Sequence, residues 1–174
     1  LDFSETAEQV GYLYNFHKKL ERGFFMRQLL WGNPETLRRL LCELVSWDSR
    51  TLTEGERTFT SKLQEKLRML DYFEKNPEHL ALHKADLGRC FVGALYKHHD
   101  AEETIVLISH FDTVQTDEYG DLEPYACQPE ELTKILHNRK DDLSQEARAD
   151  LESGEYLFGR GTMDMKMGLA IHMA

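Results

Sequence analysis

Apolar residues along the chain recur first at helical and later at strand spacing. Val10, Leu13, Tyr14, His17, Leu20 and Phe24 fall on one face of a 3.6-residue period, so an amphipathic helix is expected over residues 10–24. Asn33-Pro34-Glu35 reads as a helix entry: a capping residue, a proline whose missing N–H costs nothing there, and an acid in the first turn. Leu37, Leu40, Leu41, Leu44 and Val45 follow at i, i+3, i+4, i+7 and i+8, so that helix packs one face on a core and stops near residues 46–49. A second helix opens at Thr53-x-x-Glu56, which has the form of a capping box. Its stripe is Phe59, Leu63, Leu67, Leu70 and Phe73, and Asn76-Pro77 closes it.

From Leu80 the period shortens. Residues 80–84, 89–97 and 104–109 read as strands, with Gly88 and the polar run 98–103 as turns, and the last two are expected to pair as a hairpin. Thr104, Ile105, Val106, Leu107 and Ile108 are apolar on both faces, the mark of a strand buried in the middle of a sheet. His98 and His99 are neighbours on an extended chain and point to opposite sides, so they read as a solvated turn and not as a metal site. An acidic connection over 115–155 carries two expected helices, 129–139 and 144–151, and has the length of an insertion or a lid.

Composition narrows the class. With 174 residues, 41% hydrophobic and 30% charged, the chain has the profile of a soluble domain of ordinary size. Its net charge of −10 repels polyanions, so neither nucleic acid nor an anionic membrane is an expected partner, and no apolar run is long enough to span a bilayer. Cys42, Cys90 and Cys127 are scattered without a C-x-x-C pair, which points to a reducing, cytoplasmic setting.

Candidate chemistry sits at two places. His110 and Asp112 leave the 104–109 strand at i and i+2, on one side of the chain, where the carboxyl ends of strands in α/β sheets hold their chemistry. A neutral imidazole is a common metal ligand and a nearby carboxylate fixes its tautomer; the plainer alternative is a loop histidine beside a solvated aspartate. The second place is YLFGRGTMDMKMGLAIHMA, residues 156–174. Gly159 and Gly161 permit a close-approaching backbone, and Asp164 stands at the mouth of a helix expected to begin at Met165, where an ordinary N-cap is the alternative role. The stretch lacks the GK[ST] ending of a phosphate-binding loop, and an acid at its helix mouth opposes one.

SHFDTV followed by FGRGTMDMKMG resembles the zinc metallopeptidase family of aminoacylase, acetylornithine deacetylase and succinyl-diaminopimelate desuccinylase. The wording NPEHLALH and ADLESGEYLFGRGTMDMK looks most like its RocB-type arginine-utilisation proteins. The resemblance covers residues 26–174 and leaves 1–25 as an extension, with Met26 as a candidate start. It implies an α/β fold, the N-terminal part of a mixed β-sheet catalytic domain with flanking helices, incomplete as given.

By position, the resemblance makes His110 and Asp164 metal ligands, Asp164 bridging two zinc ions (cobalt or manganese being alternatives) and preceding a cis peptide. Asp112 becomes the catalytic residue that orients His110. The implied activity is hydrolysis of a small peptide or N-acyl amino acid by a metal-activated water, with oligomer formation compatible with the full-length form. The family's Glu-Glu pair, which supplies the general base, does not follow Asp164, so the chain by itself is expected to be inactive. A non-catalytic remnant serving as an interaction module is the competing expectation.

Overall fold

The computed structural model describes residues 34–174, so the helix expected over 10–24, the cap at Asn33 and the boundary at Met26 lie outside the described residues. The packing below lies within one compact unit, Arg38–Met173. Helix α1, Pro34–Ser46, buries Leu41, Leu44 and Val45, the face its periodicity marks. Helix α2, Glu54–Arg68, buries Phe59, Leu63 and Leu67. At its start the Thr53 hydroxyl accepts the Glu56 N–H at 3.3 Å, while the Glu56 carboxylate reaches back to the N–H of Leu52 at 2.6 Å, one residue earlier than a strict capping box would have it.

The second helix is shorter than its stripe suggests. Extended backbone at Leu70 (φ −80°, ψ 133°) separates α2 from a short helix α3, Asp71–Lys75, so Leu70 turns outward while Phe73 stays buried. Strands β1, Leu80–Lys84, and β2, Cys90–Ala94, pair antiparallel in the register Leu80↔Ala94 to Lys84↔Cys90. This hairpin packs on α2, and Arg89 beside the turn reaches the buried Glu56 carboxylate at 3.2 Å.

The hairpin is therefore β1 with β2, and not the later pair expected from the sequence. Residues 104–109 join no ladder among the described residues, and Ile105 and Ile108 are 87% and 80% exposed. The correction has a plain cause: an apolar run selects extended, buryable chain, but burial also needs neighbouring strands on both sides. The α/β class itself stands, with helices around a two-stranded sheet.

Beyond Thr113 the acidic connection folds into a 3-10 stretch, Asp117–Tyr125, then α4, Pro129–Asn138, and α5, Gln145–Ser153. Leu132, Leu136 and Leu151 form a small core of their own, with Tyr119, Leu122, Leu143 and Phe158 against it. Ser144 caps α5 through its hydroxyl, and Gly154 ends it at φ 70°. Among the described residues no helix is long and apolar enough to cross a membrane.

Candidate functional site

His110 and Asp112 are held in place by the residue between them. The Phe111 ring stacks on Phe59 of α2 with centroids 4.5 Å apart and planes 2° from parallel. Its carbonyl accepts the Ser49 hydroxyl at 2.6 Å, and Thr113 is clamped from both sides, its N–H to Ser49 O at 3.0 Å and its carbonyl from Thr51 N–H at 2.9 Å. With Phe111 turned toward α2, His110 and Asp112 are left about half exposed.

Asp164 arrives from a loop that lies close against this segment. Gly161 has φ 79°, and a Cβ there would meet Thr113 Cγ2 at 2.8 Å, so a side chain is excluded by conformation and by space at once. The Lys166 N–H closes the loop onto Gly161 O at 3.0 Å. Thr162–Met167 winds as a wide π-type turn, broken at Asp164 and Met165, whose torsions are non-helical, and the Asp164-Met165 peptide is cis. The regular helix α6 is Gly168–Met173, so it begins later than Met165, the start read from the sequence.

The two places meet. His110 Nε2 lies 2.9 Å from Asp164 Oδ1, and His110 Nδ1 lies 3.3 Å from Asp112 Oδ1, so the imidazole stands between two carboxylates. Asp164 makes this contact in place of the N-cap bond open to it, and its side chain is 84% exposed. Next to the pair, the Ser109 hydroxyl and His172 Nδ1 are 2.6 Å apart, which ties α6 to the same segment. His110, Asp112, Gly161, Met163 and Asp164 line an open cleft of about 280 Å³.

This arrangement restricts what can sit at the pair. A neutral imidazole carries one N–H; if that proton is on Nδ1 facing Asp112, the Nε2 lone pair faces a carboxylate oxygen, acceptor against acceptor. With the proton on Nε2 instead, the imidazole donates directly to Asp164, so the tautomer decides whether a cation can take that place. The donor types therefore fit a zinc-class ion, but their number does not complete a site: among the described residues no group of three or more His, Cys, Asp or Glu is placed to hold a metal.

Sequence reasoning missed Lys166 and Arg160. Lys166 is fully buried, its Nζ donating to Trp47 O at 2.8 Å and lying 5.1 Å from the Phe59 ring centroid. Burial brings its ammonium down from an ordinary 10.5 to about 8, against the opposing pull of Cys127 and Asp48. Arg160 pairs with Glu118 and lies over the Tyr119 ring, bracing the loop against the Asp117–Tyr125 stretch. Neither carries a sequence signal beyond its place beside the glycines and Asp164, because charged residues are read as exposed by default. The expected turn at His98 and His99 is exposed, and the three cysteines are half-buried thiols.

Comparison with known proteins adds two relatives, both from Bacillus subtilis (strain 168). The uncharacterized protein YqjN is 41% identical over 144 residues, covering 83% of this chain and 26% of the relative. Protein RocB is 33% identical over 147 residues, covering 82% of this chain and 26% of the relative. The chain is similar to RocB. It spans about a quarter of the length of the curated relatives it matches. No protein-family model matches it, and no solved structure does.

Proposed function

We propose that this chain is part of a metal-dependent hydrolase of peptide or N-acyl amide bonds, serving amino-acid breakdown and, through its likeness to RocB, arginine utilisation. One observation carries the reading: His110 and Asp164, separated by 54 residues in sequence, meet at 2.9 Å with Asp112 behind the imidazole. That pairing supports a zinc-class site in which a carboxylate steadies a histidine ligand.

In this reading each residue has a defined task. Asp112, 3.3 Å from Nδ1, would accept a hydrogen bond from Nδ1–H and so leave the Nε2 lone pair for the ion; Asp164 offers its two oxygens from the mouth of the cleft. The clamp on Thr113 and the glycine loop keep the two donors in register. A divalent cation bound there would supply Lewis acidity and ease deprotonation of a water near neutral pH. Substrate is a small peptide or N-acyl amino acid, with the further ligands and the general base coming from outside residues 34–174.

Metal content of the purified full-length protein tests this. His110→Ala and Asp164→Asn are each expected to lower bound zinc, cobalt or manganese, and to abolish hydrolysis of N-acyl amino acids. Metal content and activity unchanged in both variants would remove the basis of the assignment.

A further inference from the structure

We propose that Lys166 is a positioning residue: a buried strut that sets where the Asp164 carboxylate stands relative to His110. Lysine is almost never fully buried without a partner, and here it is 0% exposed. Its Nζ spans to the Trp47 carbonyl, just past the end of α1, at 2.8 Å. It also lies over the Phe59 ring, the ring on which Phe111 stacks. Phe111 is flanked by His110 and Asp112, so both halves of the site are referenced to one aromatic side chain of α2.

The loop needs such a strut. Asp164 has His110 as its hydrogen-bond partner, and its side chain projects into solvent at the loop tip. What locates it is the base of the loop, where the Lys166 N–H meets Gly161 O and the Lys166 side chain runs inward to Trp47. A methionine in its place would fill the volume without reaching the carbonyl. The inference rests on the functional reading only in treating His110 and Asp164 as the working pair; the geometric claim holds with or without metal.

Nuclear Overhauser contacts in the isotope-labelled, metal-free chain test it. The native chain is expected to show a cross-peak between the His110 ring and Asp164 Hβ, and others between the Phe59 and Phe111 rings. Lys166→Met and the milder Lys166→Gln are expected to lose the first and keep the second, and Lys166→Arg, which retains a donor, to restore it. A His110–Asp164 contact that survives in a folded Met or Gln variant overturns the proposal. Loss of the Phe59–Phe111 contacts as well also overturns it, because the lysine would then be core packing. Zinc content of the full-length protein, with a His110→Ala control, reports on the hydrolase reading separately: full-length protein that binds no zinc, with the Lys166 effect intact, leaves the strut standing and sinks the metal.

Discussion

Gly161 is the residue at which the loop tolerates no substitute. Its φ of 79° is costly for any residue with a Cβ, and that atom would press on Thr113 Cγ2 at 2.8 Å. Gly161→Ala is expected to destabilise the chain by about 1–3 kcal/mol, read from urea unfolding. A neutral result would mean that the loop does not sit against Thr113. Lys166 gives a pH prediction with a definite sign. Its folded-state pKa of about 8 lies below the ordinary 10.5, so between those values the unfolded chain holds a proton that the folded chain gives up. Stability from this group therefore rises with pH across that window and falls to its minimum below it. Midpoints of unfolding measured across the window should climb more steeply in the native chain than in Lys166→Met; parallel profiles would contradict the burial of this ammonium.

Among the elements, α2 does most to organise the site, because one of its side chains touches three others that matter. Phe59 is fully buried, stacks on Phe111, meets Trp47 edge-on at 5.4 Å and lies under the Lys166 ammonium. Phe59→Ala is expected to cost about 3–5 kcal/mol and to loosen His110, visible as broadened imidazole resonances. The run 104–108 predicts the opposite. Val106 is 74% exposed and lies outside any ladder, so Val106→Lys should change stability by no more than about 0.5 kcal/mol. A loss of several kcal/mol would show that the run is buried after all.

For the whole molecule, the number of donors decides what this chain does by itself. Zinc sites use three or four protein ligands, and the described residues bring His110 and Asp164 together without a third donor in place. The purified 174-residue chain is therefore expected to show no metal-dependent hydrolysis of dipeptides or N-acyl amino acids, assayed with zinc, cobalt and manganese in turn. Turnover that disappears on chelation would show a more complete site than these residues make.

Local signals were legible where their cause is local. The helix at Pro34–Ser46, the start of the next at Thr53 with the Phe59, Leu63 and Leu67 stripe, and the helix beginning near Ser144 all follow from signals within a few residues. The sequence also marked His110, Asp112 and Asp164, from an apolar run ending in His-x-Asp and from a glycine loop, although the run itself forms no strand among the described residues. Tertiary structure decided the rest. Which strands pair depends on neighbours far along the chain, so residues 90–94 turned back onto 80–84 and the apolar run 104–109 stayed outside any ladder among the described residues. Whether Asp164 caps a helix or meets His110 depends on how the loop is anchored at Gly161 and Lys166. A buried lysine is invisible to pattern reading, because hydropathy assigns it to solvent, while distant groups such as the Trp47 carbonyl and the Phe59 ring make its burial tolerable.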